Sequence, residues 1–227
     1  MSGSSKLLLG SVVLSCVMTV SASAEDLLLF GVGACYDRTP LTGKIWTAEG
    51  GEQEITVAGH GFGVCGTAGY YYSPINPMYV GGSLSGAFNW YPISSGNVKD
   101  INKLMHPSFG VSVGANAHVG VKMHGIYLLT GAHLGYRYTR GVLPKSEGSI
   151  KYDATNFGVH SFVIGPRADV MYVTDAGIAF YASGIFGFNV ASSKVSKVVK
   201  SERVAAQFDG KVGTFSPTVA IGVAYAS

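Results

Sequence analysis

The sequence predicts an all-β protein: an eight-stranded antiparallel up-and-down transmembrane β-barrel, preceded by a signal peptide. Three observations predict this fold. Eight segments alternate between apolar residues and small or polar residues, as strands do when successive side chains point to opposite faces. The connections between the segments are alternately short and long. Glycine is abundant, with 32 of 227 residues, and only 13% of residues are charged, which argues against a helical bundle and against a disordered chain.

The chain begins with a segment typical of secretory signal peptides. Lys6 is followed by the uncharged run Leu7–Val20, and Ala22-Ser23-Ala24 has the small-x-small pattern of a cleavage site. The apolar run is too short for a transmembrane helix, which needs about 20 residues. We therefore predict a signal peptide over residues 1–24 and a barrel domain over residues 25–227.

The alternation is clearest over residues 109–121. The odd positions there are all apolar, and the even positions are Gly, Ser, Asn or His. This pattern predicts a strand with one apolar and one polar face. The eight predicted strands are 27–38, 62–72, 78–91, 109–121, 126–138, 158–173, 178–190 and 215–225.

The predicted connections fall into two classes. The short turns are 73–77, 123–124 and 174–176, and the long connections are 39–61, 92–107, 140–156 and 191–213. Outer-membrane barrels have this plan, with short periplasmic turns and longer outer loops. Aromatic residues near segment ends fit the interfacial girdles of such barrels. They are Tyr70, Tyr72, Trp90, Tyr91, Phe109, Tyr138, Tyr172, Phe188 and Tyr225.

With these features the chain resembles the small eight-stranded outer-membrane β-barrels of Gram-negative bacteria. Within that group it is most similar to the barrel domain of outer membrane protein A and to related surface proteins. The resemblance is architectural and covers the whole predicted mature chain. It implies a bacterial outer-membrane location, a position at the cell surface and contact with outer-membrane lipid and lipopolysaccharide.

The polar face of the predicted strands carries long ionisable side chains among glycines such as Gly114 and Gly135. Glycine beside long side chains fits a narrow lumen, whereas a soluble lipocalin-like barrel would place its apolar face inside. Buried charges must be paired, so we expect a lumen plug rather than a pore. The predicted lumen cluster comprises His118, Lys122, Arg167 and Asp169 in the periplasmic half, and Asp37, His133 and Arg137 nearer the outside.

Two cysteines remain after the predicted cleavage, Cys35 and Cys65, both on the glycine-rich face. If the first hairpin turns at Glu49-Gly50-Gly51, the cysteines face each other at a separation that a disulfide accepts. A bulge at Pro40 would shift the register, so two free thiols are the alternative. No metal-ligand spacing accompanies the cysteines, and no glycine motif has a dinucleotide-binding context, so we predict neither metal nor cofactor.

The last long connection is basic. Its cations are Lys194, Lys197, Lys200, Arg203 and Lys211, against Glu202 and Asp209. The functional interpretation is contact with anionic groups, either lipopolysaccharide phosphates in the same membrane or acidic host ligands. The simpler interpretation is a solvated loop.

One spacing raises the question of catalysis. His106 and Ser108 are two apart, as in barrel enzymes that trim outer-leaflet lipid, but no acidic residue follows on the neighbouring strand to orient the histidine. We therefore predict a monomeric, non-enzymatic surface barrel of structural, adhesive or antigenic type that binds no nucleic acid. The alternatives are a lipid-modifying barrel enzyme and a soluble ligand-binding barrel.

Overall fold

The computed structural model describes residues 26–47, 51–96, 106–143, 155–200 and 205–227. The predicted signal peptide, residues 1–24, lies outside these ranges. The strands are β1 Leu27–Thr47, β2 Gly51–Ile75, β3 Met78–Gly96, β4 His106–Met123, β5 Ile126–Leu143, β6 Thr155–Val173, β7 Ile178–Ser192, β8 Val195–Lys200, β9 Ala205–Val212 and β10 Phe215–Ala226. Within the described part of the chain, no helical segment has the length and hydropathy needed to span a bilayer.

Eight of the ten strands close into a ring in the order β1, β2, β3, β4, β5, β6, β7 and β10. Strand β10 pairs back onto β1 from Leu29↔Ala226 to Asp37↔Thr218. All neighbours are antiparallel, so every strand of the ring has a hydrogen-bonded partner on both sides. The predicted eight-stranded antiparallel barrel is confirmed.

The outward face of the ring is apolar. Val32 is 69% exposed and Val113 is 57% exposed, although neither side chain has a polar atom. Each barrel strand also contributes one outward aromatic residue near the end opposite the short turns; these form the outer aromatic ring Tyr36, Phe62, Trp90, Phe109, Tyr138, Phe162, Phe188 and Phe215. A closed ladder with an apolar band and aromatic ends is suited to hydrocarbon, so the chain is a membrane-spanning β-barrel.

The wall continues beyond the membrane into segments that we predicted to be loops. The β1–β2 ladder runs on from Thr39↔Gly59 to Thr47↔Gly51, inside the predicted connection 39–61. Beyond the membrane β1 pairs with β9 instead of β10, and Pro40 lies at the junction. Proline donates no ladder hydrogen bond and is therefore tolerated where one pairing ends and the next begins.

Two predicted registers are wrong by two residues. In the first hairpin Cys35 pairs with Gly63, and Gly33 pairs with Cys65. In the second periplasmic turn, a turn at 123–124 would make Val121 face Ile126, but Met123 pairs with Ile126, so the turn residues are His124 and Gly125. Both have positive φ, at 50° and 81°, as a type I′ hairpin requires. An offset of two residues preserves the alternation, which is why the faces were predicted correctly.

Candidate functional site

The periplasmic end of the lumen is filled by an apolar cluster, in which the Tyr79 and Tyr127 rings meet edge to face with centroids 5.1 Å apart. These side chains come from the lumen face of seven of the eight ring strands, next to the short turns, and β4 contributes none of them. The apolar cluster consists of Leu27, Leu29, Tyr71, Tyr79, Tyr127, Leu129, Met171, Ala179, Tyr181, Ala224 and Ala226. The alternation of apolar and polar residues did not predict this apolar cluster, because the cluster lies on the strand face that is polar elsewhere.

Above this cluster lies an inner polar layer made of His118, Arg167 and Asp169. Arg167 and Asp169 share the lumen face of β6, two residues apart, and are 5% and 8% exposed. The Arg167 Nε atom donates to both carboxylate oxygens at 2.9 and 3.0 Å, and Nη2 donates to Oδ1 at 2.8 Å. His118 Nε2 lies 2.8 Å from Asp169 Oδ2, so the carboxylate has a second polar neighbour.

The middle of the lumen is organised around His133. Its Nδ1 atom lies 2.7 Å from Asn116 Oδ1, and the Asn116 amide donates to the Ser83 hydroxyl at 3.0 Å. Two glycines make room for the imidazole: a Cβ on Gly114 would stand 2.3 Å from the ring, and one on Gly135 would stand 2.5 Å away. The glycine pattern of the polar face therefore reflects a narrow lumen, as the sequence predicted.

An outer polar layer joins opposite walls of the barrel. Arg137 on β5 places Nη2 3.4 Å from Asp37 Oδ2 on β1, and its Nη1 donates to the Thr39 hydroxyl at 3.0 Å. The Tyr91 hydroxyl donates to the same Asp37 oxygen at 3.0 Å, and Arg137 Nη2 also donates to Thr218 Oγ1 at 3.1 Å. This network crosses the lumen and fixes the ring at its outer end.

The predicted opposition of the two cysteines is wrong, and both are free. The two-residue register offset makes them diagonal neighbours, whereas the predicted bond needed them opposite each other. Cys35 Sγ donates to Asn89 Oδ1 at 3.1 Å, and Cys65 Sγ lies 3.9 Å from the Tyr181 hydroxyl. The cysteines, named here the thiol pair, line a cavity of about 60 Å³ in the lumen.

Lys122 does not join the lumen cluster, which corrects the sequence prediction. It is exposed at the periplasmic rim, where its Nζ atom lies 5.3 Å from the centroid of the Tyr127 ring. Alternation assigned it the correct face, but alternation carries no information on depth. The other predicted members of the cluster are all buried; they are Asp37, His118, His133, Arg137, Arg167 and Asp169.

The basic connection is divided by the structure. Lys194 and Lys211 are exposed on the outer wall, and Lys197 and Lys200 belong to β8. Arg203 lies outside the described residues. Much of the predicted loop is therefore a strand pair, β8 and β9, that continues the barrel wall.

The contacts of His106 and Ser108 give no support to a catalytic pair. Ser108 donates its hydroxyl to the Arg140 carbonyl oxygen at 3.2 Å, and His106 starts β4. Among the described residues, no group of three or more His, Cys, Asp or Glu side chains could hold a metal ion.

Sequence reasoning missed Tyr91, Asn116 and Thr39 as members of the lumen network. Tyr91 was assigned to the outer girdle because it is aromatic and ends a segment. It is 4% exposed and faces inward, while its neighbour Trp90 faces lipid. Alternation alone could have found it, since adjacent strand residues point to opposite faces.

The chain is similar in fold to solved outer-membrane proteins. A major outer membrane protein from Thermus thermophilus is 12% identical, with a TM-score of 0.47, over 86% of this chain and 99% of that one. OprG from Pseudomonas aeruginosa is also 12% identical, with a TM-score of 0.47, over 90% and 96%. Ail from Yersinia pestis is 11% identical, with a TM-score of 0.40, over 87% and 99%. No protein-family model matches the chain. A comparison with curated proteins finds no match. The likeness concerns the fold alone.

Proposed function

We propose that the chain is a non-enzymatic surface barrel that is closed to ions and acts through its outer end. One observation supports a closed lumen: four layers of buried side chains are stacked in it, and the lumen of an eight-stranded barrel is only wide enough for side chains. The apolar cluster forms the lowest layer, and the inner and outer polar layers lie above it with His133 between them. Ions crossing this lumen would have to break paired charges and displace packed tyrosines.

The outer end is the part of the barrel whose surface is available to partners. Strands β1, β2, β8 and β9 carry the wall beyond the outer aromatic ring, where it meets the outer leaflet and the medium. An adhesive, structural or antigenic role requires such an exposed wall and no chemical reaction. The backbone hydrogen bond that holds Ser108 supports the non-enzymatic assignment.

Planar-bilayer recordings of refolded protein test the closed state. We expect no steady conductance from the wild type. As a positive control, Tyr79→Ala/Tyr127→Ala removes two rings from the apolar cluster and should raise the frequency of openings. Steady wild-type openings of porin size would refute the closed lumen.

A separate measurement tests the non-enzymatic assignment. Cells that overproduce the protein should retain the acylation pattern of their outer-leaflet lipid, measured by mass spectrometry. Loss of an acyl chain that Ser108→Ala restores would establish the lipid-modifying alternative.

A further inference from the structure

The outward surface just beyond the outer aromatic ring is rich in cations. Five described cations lie there, against three carboxylates, Glu52, Glu54 and Asp209, the last being the backbone partner of Lys44 in the β1–β9 ladder. The cations are Arg38, Lys44, Arg140, Lys194 and Lys211. The opposite end differs: the described charges nearest the short turns are Asp26, Lys122 and Asp175. The excess of positive charge is therefore confined to the end that meets the outer leaflet.

Three of these cations line one cleft. The cleft measures about 390 Å³ and lies where β7 passes into β8 and β10 into β9. Its lining residues are Thr42, Gly43, Lys44, Glu54, Ser192, Lys194, Gly210 and Lys211. The backbone holds it open: Thr42 pairs with Lys211 in the β1–β9 ladder, and the Thr42 hydroxyl donates to the Lys211 carbonyl oxygen. The β1 and β9 side of the cleft is thus part of the wall, and Lys194 joins it from the two-residue connection between β7 and β8.

The position of the cleft identifies the medium it faces. Lys211 stands four residues beyond Phe215 of the outer aromatic ring. At the rise and tilt of a barrel strand this distance corresponds to about 10 Å above the ring, the depth of lipid head groups. The alternation of β1 places Thr42 and Lys44 on the same outward face as Tyr36, so the cleft opens sideways toward lipid.

We propose that this cleft binds the phosphate groups of a glycolipid head group in the outer leaflet. Lysine ammonium groups each offer three donors to phosphate oxygens, and a cation near an anionic membrane surface adds appreciable affinity. Glu52 forms an ion pair with Lys44, and Glu54 is the cross-strand neighbour of Lys44 on β2. Lys194 and Lys211 line the side of the cleft away from these two carboxylates. The Arg140 guanidinium, 5.7 Å from the centroid of the Phe109 ring, offers a second phosphate contact elsewhere on the rim.

This proposal rests on the outer end being the working end of the barrel, but it does not require a closed lumen. A failure here with a closed lumen in planar bilayers would therefore remove only the lipid site. Steady conductance with intact lipid binding would remove only the closed lumen.

Titration of refolded protein with bisphosphorylated lipid A, followed by native mass spectrometry, tests the site. Lys194→Gln/Lys211→Gln should weaken binding by about tenfold to 30-fold, since each cation near an anionic surface contributes about fivefold. Lys122→Gln makes the same change at the exposed periplasmic rim and should leave binding unchanged. Equal binding by the wild type and the double variant would overturn the proposal. Heat-modifiable electrophoretic mobility confirms that each variant is folded.

Two further probes identify the source of the phosphate. Dephosphorylated lipid A should bind at least tenfold more weakly than the bisphosphorylated form, and equal binding would overturn the proposal. Inorganic pyrophosphate serves as the soluble anion. Displacement of lipid A by micromolar pyrophosphate would show that the cleft takes a soluble anion and would overturn the assignment to lipid, whereas retention of lipid A supports it.

Discussion

Replacement of Asp169 by alanine isolates the energy of the inner polar layer. It leaves the Arg167 guanidinium 5% exposed and without the three hydrogen bonds of 2.8 to 3.0 Å that it donates to the carboxylate. Removing one partner of a buried ion pair costs about 3–5 kcal/mol, because the remaining charge is buried and unpaired. We expect a loss of that size in the free energy of unfolding.

Replacement of the partner, Arg167, by alanine is expected to lower the free energy of unfolding by less. In Arg167→Ala the Asp169 carboxylate keeps His118 Nε2 at 2.8 Å, which lowers the expected cost to about 2–3 kcal/mol. If the two sites were independent, the double variant would lose about 5–8 kcal/mol. Because the double variant leaves no unpaired charge of this pair, we expect about 3–4 kcal/mol, and hence a coupling of about 2 kcal/mol or more.

Urea unfolding in lipid vesicles, followed by tryptophan fluorescence, measures the cycle. Ser183→Ala is the matched control, since Ser183 pairs with Asp169 across β6 and β7 and is buried but uncharged. It should cost no more than about 1 kcal/mol. Additive single and double losses, within about 0.5 kcal/mol, would mean that the two charges are separately solvated and would refute the paired layer.

The remaining predictions use the same unfolding assay or simple labelling. Val113→Arg puts a cation on the lipid face and should cost about 2–4 kcal/mol, whereas Met123→Arg at the periplasmic rim should cost about 0–1 kcal/mol; equal costs would show that the membrane depth is misassigned. Gly135→Ala brings a Cβ to 2.5 Å from His133 and should cost about 1–3 kcal/mol, while Gly184→Ala meets nothing within 4 Å and should be neutral; the reverse order would contradict the packed lumen. Alkylation of the unfolded protein without reductant should label both members of the thiol pair, and a mass two hydrogens lower with no label would reveal a bond instead.

Local alternation was enough to determine the barrel and its two faces. The outward exposure of Val113 and the burial of Arg137 both follow from the period of two in their segments. That period is a property of each strand alone, so an error in the predicted pairing of two strands does not change the face assigned to a residue. This is why the register errors in the first hairpin and at His124 left the faces correct.

The tertiary structure decided which side chains meet and at what depth. Arg137 and Asp37 are far apart in the sequence and come from opposite walls, so their contact depends on strand stagger around the whole ring. Lys122 shares a face with His118 but lies at the rim, because depth is set by the position of the strand in the membrane. The cleft at Lys194 and Lys211 needs β9 to replace β10 as the partner of β1, and no period in the sequence records such a change of partner.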